Sequence, residues 1–152
     1  MIAIWINYVA AALLAYIVLL NLRHGSIPNW GVLALVGLFV VKVIAGWGDF
    51  VLWHQLVFAA CALALGLAFY ATEGFGGGVV KLMFGASLFM PPAQWAWMLF
   101  AFVALTILVT VLSVLVRRTI GNEESSWAVL QGKIVPMAVP IAITAWIGIF
   151  VF

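Results

Sequence analysis

Two polar stretches interrupt an otherwise apolar chain: Asn21-Leu22-Arg23-His24-Gly25-Ser26-Ile27-Pro28-Asn29, and Gly76-Gly77-Gly78-Val79-Val80-Lys81-Leu82 with Glu73 just upstream. They hold most of the side chains with which this protein could do chemistry. Acid–base hydrolysis by carboxylates needs two of them in one site. One must be ionised to take a proton from water, and the other must stay protonated to polarise the carbonyl. Crowding two like charges separates their pKa values in that way. The chain has only four acids, Asp49, Glu73, Glu123 and Glu124. Asp49 ends a Gly46-Trp47-Gly48-Asp49 turn in a different part of the chain. Glu73 approaches the second stretch alone, as a solvated loop charge or a mate for Lys81. Glu123 and Glu124 adjoin one another among Asn122, Ser125 and Ser126 and read as solvated. Neither stretch therefore carries a carboxylate pair.

The remaining polar groups read as follows. Lys81 falls in the first turn of a short apolar segment, and a charge at full bilayer depth costs about 2.5 to 3.5 kcal/mol. A specific partner is expected, with Glu73 or water the candidates. Arg23 fits a topology determinant better than a substrate contact, and His24 a polar loop residue better than a base. His54 reads as interfacial. Pro28 fixes φ, and Asn29 is expected to accept hydrogen bonds from the first amides of the next helix. The glycine triplet lets backbone approach closely, to a helix or to a bound peptide. Cys61 is the single cysteine, so neither an internal disulfide nor a cysteine zinc cluster can form, and it reads as a core or lipid-facing residue. No metal and no cofactor is expected.

These residues must be positioned by membrane helices. With 68% hydrophobic and 7% charged residues, the chain has too little polar surface to cover a water-soluble core. The net charge of +2 is too small and dispersed for a nucleic-acid surface. A crossing takes on the order of 20 apolar residues. Ile2 to Leu20, Trp30 to about Gly46, Val51 to Ala71, and Ala93 to Val116 meet or approach that length. Val79 to Met90 is a short fourth crossing closed by Pro91-Pro92. Ile134 to Phe152 is the last, with Pro136 and Pro140 expected to bend or loosen its start. The expected fold is an all-α integral membrane protein of six transmembrane helices, the fourth short, forming one domain over residues 1–152. Most Lys and Arg flank the first, third and fifth loops, which places those loops in the cytoplasm and both termini outside. Trp30, Trp47, Trp53, Trp95, Trp97 and Trp127 mark span ends. The N-terminal run has no basic n-region and is read as a retained span. The oligomeric state is not legible.

Taken together the two stretches resemble the signatures of the prepilin peptidases, D-x-R-x-x-x-I-P-N and G-x-G-D-x-K-L, in the same order and on the same membrane side. Lys133-Ile134-Val135-Pro136-Met137-Ala138 is similar to the stretch opening the last helix of the short Flp (Tad) pilus members. The resemblance implies an aspartic endopeptidase of the bacterial inner membrane, with a pilin precursor as substrate or ligand. It also implies that Asn21 and Val79 occupy the positions of the two catalytic aspartates, with Arg23, Glu73, Gly76, Gly77, Gly78 and Lys81 lining the site. An amide does not ionise near neutral pH and an isopropyl group has no lone pair, so the chain is expected to be inactive as written. Asp49 lies on the outer face under this topology and cannot substitute. The cysteine-rich insertion of longer, methylating relatives is absent, so N-methylation is not expected. The alternative is a non-proteolytic membrane assembly or transport component that shares only the helical scaffold.

Overall fold

The computed structural model describes residues 2–46, 52–121, 125–131 and 134–151. Trp47, Asp49, Asn122, Glu123, Glu124 and Lys133, which the sequence assigns to loops, lie outside the described residues. Among the described residues six α-helices follow one another: α1 (Ile2–His24), α2 (Asn29–Ala45), α3 (Leu52–Ala71), α4 (Gly77–Ser87), α5 (Trp95–Ile120) and α6 (Ala138–Phe150), with a 3-10 turn at Pro92–Gln94 before α5. Helices α1, α3 and α5 are long and apolar enough to cross a membrane, and α2 and α6 are shorter apolar helices.

Local chemistry explains the boundaries. Helix α1 has no internal Gly or Pro and stops at Gly25, whose φ of 74° is open to glycine and whose N–H donates to the Asn21 carbonyl at 2.9 Å. Pro28, extended at φ −72° and ψ 135°, then hands the chain directly into α2. Helix α3 ends in a turn in which the Gly74 N–H donates to the Phe69 carbonyl. Helix α5 runs beyond the expected Val116, so Arg117 and Arg118 lie on its last turn, where cations complement the helix dipole. In the last span the start is loosened, as the prolines predict: residues 134–137 are not helical. Pro136 precedes α6, and Pro140 is its third residue, where no intrahelical N–H is lost. The prolines thus mark where α6 begins.

The helices alternate in direction. At one end the turn after α1 meets the start of α4, and Asn21 meets the start of α6. At the other, Tyr8 of α1 lies 5.3 Å from Phe150 of α6, Phe39 of α2 lies 6.1 Å from Phe89 just beyond α4, and Phe58 of α3 stacks on Trp95 of α5 at 5.2 Å. Helices α1, α2, α4 and α6 enclose the fully buried Leu14, Ile17, Leu35, Leu82 and Ile141. Helix α3 packs on α4 and α5 on α6. The outer faces of α3 and α5 expose Leu56, Leu67, Phe69, Phe100, Ile107 and Leu112, an apolar area that water would not tolerate and a bilayer would. The molecule is an all-helical membrane protein.

Helix α4 needs a separate account. Its 11 residues rise about 16 Å, roughly half the hydrocarbon thickness. The chain beyond it, Leu88 to Met90, is buried and its carbonyls cannot turn to water. Gln55 of α3 satisfies them: its buried side-chain amide donates to the carbonyls of Ser87 at 3.2 Å, Leu88 at 2.6 Å and Met90 at 2.5 Å. Irregular backbone at membrane depth is tolerated on that condition.

Candidate functional site

The two polar stretches of the sequence come together in space. Ile27, in the turn after α1, packs against the first turn of α4: a Cβ added at Gly78 would stand 3.1 Å from the Ile27 Cβ and 3.5 Å from its carbonyl oxygen. A side chain there would press Ile27 back by a few tenths of an ångström. Alongside it, the Lys81 ammonium donates to Asn29 Oδ1 at 3.0 Å. Two sequence expectations are corrected here. Helix α2 begins at Asn29 itself and its cap residue is Pro28, with no side-chain cap, so the Asn29 carbonyl oxygen is free to serve Lys81. Glu73 is therefore not the partner of Lys81. It sits exposed at φ 58° in the turn after α3, and no contact joins the two.

Asn21, in the last turn of α1, is buried at 5% exposure. Its Oδ1 accepts a long hydrogen bond, 3.4 Å, from the N–H of Ala138 at the start of α6. Val79 is half-buried in the first turn of α4 and packs against the common core. The segment between α5 and α6 closes over the end of α1: the Ala128 and Val129 amides donate to the carbonyls of Arg23 and Leu22 at 3.0 and 3.3 Å. Arg117 Nε in turn donates to the Val129 carbonyl at 3.2 Å. Arg23 and His24 are exposed on the last turn of α1, not in a loop. Gly76 is exposed, Gly77 and Gly78 are half-buried, and α4 starts without a side-chain cap. The Val79 and Val80 N–H groups turn back to the Gly76 carbonyl at 2.9 and 3.4 Å, which leaves the Gly77 and Gly78 amides for an incoming acceptor.

The start of α4 meets that of α2 through Lys81 and Asn29, and the end of α1 meets the start of α6 through Asn21. Among the described residues of the two stretches no acid is present to move a proton. The role of Gln55 does not follow from its place at the entry of the third span. A lone amide in an apolar run was the available signal, since such a group in a membrane must find a partner.

A family model for the type IV leader peptidase family matches residues 8–116, most of the chain and both polar stretches. The chain belongs to the type IV leader peptidase family. The match ends before the Ile134–Ala138 segment. No curated protein and no solved structure matches at a significant level.

The Lys81 to Asn29 bond can be isolated by a double-mutant cycle with Lys81→Met and Asn29→Leu. Because Lys81 is exposed, a coupling of about 0.5 to 1.5 kcal/mol is expected. It is measured from unfolding of the four proteins in mild detergent, and additive single effects would dissolve the link.

Proposed function

We propose that this protein is a leader-peptidase scaffold that binds a type IV or Flp pilin precursor at the cytoplasmic face of a bacterial inner membrane without cleaving it. In this reading the chain crosses the membrane six times with both termini outside. Asn21 and Val79 stand where the active enzyme carries its two aspartates, and Arg23, Glu73, Gly76, Gly77, Gly78 and Lys81 line the binding edge. The observation that carries the proposal is the interlock of the two stretches, Ile27 on Gly78 and Lys81 on Asn29. It assembles the site's frame with neither catalytic carboxylate in it. Neither an amide nor an isopropyl group ionises near neutral pH to take a proton from water, so the frame stands without the catalytic base. Family membership supports this reading, whereas a component sharing only the helices draws no support from it.

The test uses the chain as it stands. Reconstituted in lipid nanodiscs, it is expected to retain a full-length pilin precursor in a saturable manner and to leave it uncut on prolonged incubation. Gly78→Val, which drives side-chain carbon into Ile27, should weaken retention about tenfold or more, equivalent to 1.4 kcal/mol or above. Failure of the unaltered chain to retain any precursor would overturn the binding reading.

A further inference from the structure

Away from the polar end, α3 and α5 enclose a cleft of about 220 Å³ lined by Phe58, Cys61 and Leu65 of α3, Met83 of α4, and Trp95 and Met98 at the start of α5. Its floor is α4 and α6, which hold α3 and α5 on either side. Phe58 stacked on Trp95 at 5.2 Å closes one end. From Phe58 to Leu65 the cleft runs about 10 Å along α3. The two hydroxyls in its wall are turned away from it: Ser87 Oγ donates to the Phe84 carbonyl at 2.7 Å, and Thr144 Oγ1 donates to the Pro140 carbonyl at 2.8 Å. The nearby Gln55 amide is committed to the end of α4.

We infer that this cleft is the seat of one acyl chain of a bilayer phospholipid. Water is excluded by chemistry, because a cavity needs polar partners to hold it, and an apolar cavity of about 150 Å³ stays dry and takes a hydrocarbon guest. A slender hydrocarbon chain can enter a cleft of this size, and a helix laid across its mouth is the competing occupant that the experiment distinguishes. The source is the surrounding bilayer, since the cleft is continuous with the apolar outer faces of α3 and α5, where Leu67 and Phe69 on one side and Phe100 and Val103 on the other are exposed. Met83 and Met98 supply unbranched, adaptable side chains that mould to a guest without a fixed shape. The site is independent of pilin binding and holds whether or not that reading survives.

The experiment is spin resonance of the full chain in proteoliposomes with phosphatidylcholine carrying a nitroxide on its acyl chain. One slowly exchanging lipid per protein is expected beyond the fast outer shell. Ala62→Phe and Leu65→Trp, which fill the cleft from its α3 wall, should each abolish that component, whereas Leu108→Phe on the outer face of α5 should keep it. Two substitutions at incompletely buried positions guard against one simply failing to fold. Absence of the slow component in the unaltered chain, or its persistence in both filled variants, would overturn the assignment. So would its stoichiometric displacement by an apolar transmembrane peptide, which would give the cleft to a helix.

Discussion

Installing both carboxylates, Asn21→Asp together with Val79→Asp, is expected to raise cleavage of a pilin precursor by about 10⁴-fold or more over the parent chain, since dismantling a catalytic unit commonly costs about 10⁴ to 10⁶ in rate. Each substitution alone should leave the rate at background, because a dyad acts as a unit. The surroundings are suited to both changes. Asn21 is nearly isosteric with aspartate, and its Oδ1 already accepts from the first amide of α6, a donor that a carboxylate oxygen would inherit. Val79 is the third residue of α4, within the turn where a helix favours a negative charge. Its cost is the loss of apolar contact with the core, on the order of 1 kcal/mol. Cleavage is read from the mobility shift of the precursor and confirmed by the mass of the released leader. Equal processing by the parent and the doubly restored protein would show that catalysis does not reside at these two positions.

Replacing Gln55 by leucine is expected to destabilise the fold by about 2 to 4 kcal/mol. One amide with two hydrogens serves three buried carbonyls, and its removal leaves at least two of them without a donor. An unsatisfied buried group costs about 1 to 3 kcal/mol, partly offset by the added apolar side chain. Gln55→Glu should fall between, because a protonated carboxyl still offers one O–H. Unfolding by a denaturing detergent, titrated into a mild one, gives the difference. A leucine variant as stable as the parent would mean that these carbonyls find other partners. In the doubly restored protein Gln55→Leu should also slow cleavage, since α4 is held by Gln55 at its far end and by Ile27 and Lys81 at its near end.

The parts of this fold that follow from local pattern were legible in the sequence. Helix α3 begins and ends within a residue of its expected bounds, because length and apolar composition alone define a span. The two polar stretches were also found, and their meeting at Ile27 and Gly78 bears out their placement at one end. What stayed hidden was contact between residues distant in sequence. Asn29 reads locally as a helix cap, yet Pro28 already supplies the extended geometry of that position, and the side chain goes to Lys81 instead. Gln55 acts on carbonyls more than 30 residues away, which no periodicity reveals. The start of α6 was misplaced for a related reason. The apolar run begins at Ile134, but Val135 and Pro136 are spent in a turn, where the Met137 N–H meets the Val135 carbonyl.

The segment that lies over the end of α1 has a consequence for where this protein can be divided. Ala128 and Val129 complete the carbonyls of Leu22 and Arg23, and Ala138 supplies the donor for Asn21, yet all three fall past the residues that the family model matches. The part that marks the chain as a leader peptidase is therefore not a module that could be excised intact. Cut at residue 116, it would open the first polar stretch from behind, so the identity of the site is written in one portion of the chain and its closure in another.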